Sequence, residues 1–173
     1  MDTLQAIGSL RVVRHFSDRP VDDAAVRTIV DAGRRAGSSK NLQRWDFIVV
    51  RDRAQLGELG DVGPFAGHLA GAAVAIALVT PDPHADDATL SVSFDLGRAA
   101  ENMVLAAWAL GIGSCPATVY EHDLARRILG IPGTHHCEYV FSFGHPADPA
   151  VLARSNRAGG RKDLAAVVHD GTW

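Results

Sequence analysis

Cysteine is scarce in this chain of 173 residues: Cys115 and Cys137 are the only two. Two thiols do not make a disulfide framework, and a reducing compartment is the default for such a chain. An excess of basic charge is also missing. The formal net charge is -3, which leaves no broad footprint for nucleic acid. Long hydrophobic runs are absent as well. The longest, AGAAVAIALV from Ala70 to Val79, falls short of the roughly 20 residues that a membrane-spanning helix needs. The N-terminus lacks a basic-then-apolar leader pattern. The expectation is a cytoplasmic protein that engages neither membrane nor nucleic acid. No Gly-rich phosphate loop of either common spacing occurs, which leaves a Walker-type site or a dinucleotide fingerprint unsupported. There is no Gly-x-Ser-x-Gly elbow.

What is present is a globular composition, 47% hydrophobic and 21% charged. The length suits one domain with a real core. The stretch VDDAAVRTIVDAGRRAG reads as a helix, capped by Asp22 or Asp23, with Val26, Ile29, Val30 and Gly33 on one face. Gly37 is a stop signal. Phe47 to Val50 reads as a strand, and Ala54 to Leu59 as a short helix. Val74 to Thr80 is a continuous apolar run, as expected when both faces of a sheet are covered. The longest helix spans about Ser91 to Leu110. Its apolar residues go almost all the way round, which predicts a central helix or one in a subunit interface. IGSCPATV leads into the helix EHDLARRILG. Tyr139, Phe141 and Phe143 give the next strand one aromatic face. The tail after Pro146 is irregular but keeps an apolar patch, Leu164 to Val168, which predicts docking. The sum is α+β, a single domain over 1–173 with an extended tail from 146.

Three constellations bear on chemistry. In HHCE (His135, His136, Cys137, Glu138) the residues are adjacent at a strand entry. Alternation lets at most His135 with Cys137, or His136 with Glu138, share a site. Zinc spacing wants a second half elsewhere, so an ordinary strand edge is expected and no metal. Cys115 has no evident partner base, so a packed or accessible thiol is expected rather than a nucleophile. Arg11 and Arg14 are three apart and share a side if their segment is helical. Arg154, Arg157, Arg161 and Lys162 lie in the tail. A tail that folds back would let Arg11, Arg14 and Arg161 hold a phosphate, since guanidinium forks suit its oxygens.

The turn before the first strand, AGSSKNLQRW, carries more polar groups than a turn requires. It resembles the nitroreductase-family motif Ala-Pro-Ser-Ser-x-Asn-x-Gln-Pro-Trp, which precedes a similar strand. LRVVRHFSDRPV looks like that family's N-terminal Arg-Arg-Ser-x-Arg-x-Phe and its Pro-Val lead-in. DLGRAAENMVLAAWALGIGSC is similar to its long central helix, and GRKDLAAVVH to its C-terminal Arg-containing segment. The four landmarks occur in order and cover nearly the whole chain.

The resemblance implies a nitroreductase-like α+β fold: a central mixed sheet packed by helices, a long buried central helix at a homodimer interface, and a tail reaching the partner. It implies FMN, with Arg11, Arg14 and Arg161 on the phosphate and ribityl edge, and Ser38, Ser39 and Asn41 reaching the flavin of the other subunit. Pro116, Ala117, Thr118 and Val119 would lie near N5, with a backbone amide from Thr118 or Val119. NAD(P)H would deliver hydride and a nitroaromatic, quinone or other electron-poor acceptor would take electrons, in ping-pong order. The chemistry sits on the flavin, so no catalytic side chain is expected. Leu10 stands where many members have Arg, Val12 where many have Ser, Gly37 and Arg44 where the motif has prolines, and Glu101 where Gln is common. The span between Val50 and Gly71 is short. The competing readings are another flavin chemistry or a deazaflavin on the same fold, a flavin-binding or partner-binding module without turnover, and a metal hydrolase built on His135 to Glu138.

Overall fold

The structure is a computed structural model, and it describes residues 1–83, 85, 89–153 and 160–173. Four strands form one sheet: β1 (Asp46–Val50), β2 (Val74–Pro81), β3 (Gly113–Thr118) and β4 (His135–Gly144), in the order β1-β2-β4-β3. All three pairings are antiparallel. Parallel pairing, which a mixed sheet requires, enters only as an isolated bridge between Val12 and Ser114. Among the described residues five α-helices surround the sheet: α1 (Thr3–Ser9), α2 (Asp23–Arg34), α3 (Arg53–Leu59), α4 (Ser91–Ala109) and α5 (His122–Leu129).

The sheet divides two cores. On β2, Ala75, Ala77 and Val79 face one core with Leu56 and Leu59 of α3 and Ala125 of α5. Val74, Ile76 and Leu78 face the other, with Val26 and Ile29 of α2 and Leu96, Ala99 and Met103 of α4. Alternation along a strand buried on both faces is why its sequence is a continuous apolar run. Asp22 caps α2, its carboxylate accepting from the Ala25 N–H at 2.7 Å. Gly33 lets α2 approach α4, because a Cβ there would meet Met103 at 2.7 Å.

Two helical expectations change. α4 is not buried on most sides within one chain: Val92, Leu96, Ala99, Met103 and Ala107 are buried, whereas Phe94 is 69% exposed. The segment of Arg11 and Arg14 is not helical. Asp2 and Gln5 close a capping box at the start of α1, and that helix ends at Ser9. The chain then runs extended, with the Val13 N–H donating to the Ser114 carbonyl at 2.9 Å. Among the described residues, no helix is long and apolar enough to cross a membrane.

Candidate functional site

The extended segment after α1 separates two cavities. The larger, of about 910 Å³, is lined by Leu10, Arg11, Val12 and Pro116, by Glu101 and Val104 of α4, and by the tail at Arg161 and Lys162. The second, of about 660 Å³, is lined by Arg14, His15, Phe16, Phe65 and His68 among others. Arg11 and Arg14 therefore do not share a side, which corrects the helical expectation. In extended backbone, side chains alternate, so residues three apart face opposite ways. Gly113 makes room for the segment, since a Cβ there would lie 2.6 Å from the Val13 side chain.

β3 contributes Ser114 and Pro116 to the larger cavity. Its register pairs the Val119 N–H with the Glu138 carbonyl at 2.9 Å, and Thr118 sits opposite Tyr139. Thr118 is thus the non-hydrogen-bonded partner, and its N–H points off the open edge of the sheet. Of the two amides expected near the flavin, Val119's is engaged in the sheet and Thr118's faces outward. The side chains divide likewise. Pro116 and Thr118 are exposed, whereas Ala117 and Val119, at 1% and 2% exposed, belong to a core.

The turn at Ser38, Ser39 and Asn41 does not line the large cavity of its own chain. It is locally strained: Lys40, Asn41 and Gln43 have φ of 52°, 56° and 49°. Three non-Gly residues in the left-handed region cost free energy and persist only when held. Ser38 Oγ accepts from the Gln43 N–H at 3.0 Å. Asp95, a nearly buried carboxylate on α4, accepts from the Ser39 N–H at 2.8 Å. Sequence reading missed Asp95. An acidic residue on an otherwise apolar helix face is the signal it left.

A second missed group lies at the Arg14 end. His68 Nδ1 is 2.8 Å from Ser142 Oγ, and Ser142 donates to the Cys115 carbonyl at 3.3 Å. Burial, with the charge of Arg14 adding to it, holds the His68 imidazole below its ordinary pKa. Burial also raises the Cys115 thiol, which Arg14 partly opposes.

The HHCE stretch separates. His135 Nδ1 pairs with Thr134 Oγ1 at 2.9 Å. Cys137 enters a core and its thiol is pushed up to about 12 by burial. His136 and Glu138 come together at 3.0 Å, and the structure adds His122 beside them. Arg154 and Arg157 lie outside the described residues.

The nitroreductase family profile matches residues 9–63 and 63–145. This chain belongs to the nitroreductase family. An Archaeoglobus fulgidus protein named "Putative NADH dehydrogenase/NAD(P)H nitroreductase" is 36% identical over 152 residues, covering 85% of this chain and 87% of that protein. The Vibrio harveyi NADPH-flavin oxidoreductase is 29% identical over 167 residues, covering 88% of this chain and 70% of the relative. A solved Parabacteroides distasonis structure bearing the same name as the Archaeoglobus protein matches with a TM-score of 0.86 and 26% identity, over 99% of this chain and 98% of that one.

Proposed function

We propose that residues 1–173 form one domain of an FMN-dependent NAD(P)H oxidoreductase, with the tail from 146 folded over the cofactor. The observation that carries this reading is the large cavity. It is of the size that takes a cofactor, and its lining joins the cations Arg11, Arg161 and Lys162 to the apolar groups Leu10, Val12, Val104, Pro116 and Phe141. That donor set fits FMN, an anionic phosphate joined to a flat apolar ring. When bound, FMN supplies the redox chemistry, taking hydride from NAD(P)H and passing electrons to an acceptor.

The chain's own residues bind and polarise. Arg11 and Arg161 hold the phosphate end with charge-assisted hydrogen bonds. Pro116 and Thr118 support the ring, and the Thr118 N–H donates to its edge. Arg14, across the segment from that cavity, would supply positive charge toward the negative charge that develops on reduction. Glu101, on the wall with Val104, brings an opposing charge to the phosphate end. The acceptor is a nitroaromatic, a quinone or another electron-poor molecule that follows the nicotinamide into the same space.

The working unit is a homodimer. Phe94 and Leu110 on α4, and Leu164, Val167, Val168 and Trp173 in the tail, are exposed apolar groups in the single chain. Pairing two copies covers them. The strained turn then presents Ser38, Ser39 and Asn41 to the cofactor of the partner subunit, which accounts for polar groups that serve no cavity of their own chain.

The test is an anaerobic absorbance spectrum of the protein after FMN is supplied and excess removed. Flavin bands that bleach with NADPH or NADH and return with a quinone or nitro compound are expected. Bands that persist with either nucleotide would sink the NAD(P)H reading. One observation favours a second reading: Leu10 and Val12 line this cavity where Arg and Ser are usual in the family. A protein that retains no FMN but holds a deazaflavin, identified by the mass of the released cofactor, would establish that reading instead.

A further inference from the structure

His136 and Glu138 are two residues apart on β4, and His122 is the first residue of α5. The chain brings all three to one place. His136 Nε2 lies 3.0 Å from Glu138 Oε1. The His122 and His136 rings have centroids 4.4 Å apart and are tilted by 43°. One ligand-capable atom from each residue lies within 4.8 Å of the others.

The backbone that carries them is fixed and locally irregular. The pairing of β2 with β4 shifts register between Leu78 and Val79, so Leu78 opposes Tyr139, Val79 opposes Cys137, and Glu138 is the extra residue. Such a bulge re-aims a side chain and is over-represented next to sites. On its other side Glu138 accepts from the Val119 N–H. The entry to α5 is pinned too, because the Tyr120 and Glu121 N–H groups both donate to the Val62 carbonyl, at 2.8 and 3.0 Å. The side chains of His136 and Glu138 are 11% and 25% exposed, so these two donors are largely withdrawn from solvent, while His122 lies at the surface.

We propose that His122, His136 and Glu138 form a binding site for a first-row divalent transition metal, zinc foremost, which clamps the start of α5 to β4. Two imidazoles and one carboxylate are a donor set for zinc with an open fourth position. An oxygen-seeking cation such as calcium would want more carboxylates and carbonyls. The spacing fits. Tetrahedral zinc with bonds of about 2.05 Å separates its ligands by roughly 3.3 Å, and His136 and Glu138 are already within a few tenths of that. Only His122 has to close in, by side-chain rotation. Asp82, at the end of β2, adds negative charge close enough to act on His136. The site is separate from the cofactor cavity and does not rest on the flavin reading. It is nonetheless coupled to it, because Glu138 holds the peptide of Val119, next to Thr118.

The experiment titrates zinc chloride, and separately cobalt(II), into the metal-stripped, untagged protein of residues 1–173, followed by calorimetry and by cobalt visible absorbance. One metal per chain is expected, with the intense cobalt bands of a low-coordinate site. His122→Ala and Glu138→Gln, each checked for native circular dichroism, are expected to weaken zinc by roughly tenfold or more. His169→Ala, in the exposed tail, is expected to leave it unchanged. Zinc is expected to raise the melting temperature of the wild type and not of His122→Ala. Binding weaker than about 1 mM in the wild type, or binding that survives His122→Ala undiminished, overturns the proposal.

Discussion

Arg11 and Arg14 are separated by two valines, yet they stand in different environments. Arg11 opens onto the large cavity with the tail residues Arg161 and Lys162. Arg14 opens onto the smaller one, where its charge acts on His68 and Cys115. One is lined by cations from two distant stretches of the chain. The other is built into the sheet through Ser142 and carries a neutral imidazole. The difference teaches that the short extended segment sorts charge: what sequence presents as one basic cluster is divided between two cavities.

The largest way to break this arrangement is to remove the segment's seat. Gly113→Val places methyl groups where the Val13 side chain already lies, since even a Cβ would be at 2.6 Å. Overpacking of this kind costs roughly 1–3 kcal/mol. A thermal melt should fall by about 2–12 °C, and FMN retention should fall with it, because the segment seated there carries both Arg11 and Arg14. An unchanged melt would mean that the segment is not seated on β3 in solution.

The division of labour itself is sharpened by two single changes. Arg11→Ala should weaken FMN about 10- to 100-fold in a fluorescence-quenching titration, the loss of a hydrogen bond to a charged group. Arg14→Ala should weaken FMN less and slow its reduction by NAD(P)H more. The reverse order would erase the distinction. Thr118→Pro then asks whether the ring end uses a backbone amide. Proline is tolerated on an edge strand where the N–H faces away from the ladder, so folding should survive. Loss of that donor should slow turnover by about 10- to 100-fold, by analogy with donors to developing negative charge. Val119→Pro, which breaks the bond to Glu138, should instead destabilise the fold.

Much of the scaffold was legible because burial and capping write directly into residue order. The run Val74 to Thr80 announced a strand covered on both faces, and Asp22 or Asp23 announced the start of α2, with Asp22 the one that caps it. The site was legible by resemblance more than by spacing. Arg11 and Arg14 at i and i+3 suggest one face only if a helix is assumed, and the capping box of Asp2 and Gln5 was the available sign that the helix lay earlier. The register that separates the Thr118 amide from that of Val119 depends on pairing with β4, and no local pattern reports a register. His122 beside His136 is a contact between a helix start and a strand 14 positions on; alternation along HHCE offered the His136 and Glu138 pair, and no local pattern pointed to His122.

The smallest expected effect tests the Arg14 end through chemistry that is not catalytic. A thiolate reacts with alkylating reagents and a thiol does not. Burial raises both cysteines, Cys137 to about 12 and Cys115 in the same direction, while Arg14 pulls Cys115 back down. Raised pKa values mean that both groups are protonated at neutral pH, so native protein should resist iodoacetamide there and label fully when unfolded. As pH rises, Cys115 should react before Cys137. Removing the guanidinium takes away the one influence that favours the Cys115 thiolate, so Arg14→Ala should label more slowly than wild type at the same alkaline pH, read by intact-protein mass. Faster labelling would show that Arg14 acts there by covering the sulfur rather than by its charge, and the ring end would then owe less to electrostatics than its composition suggests.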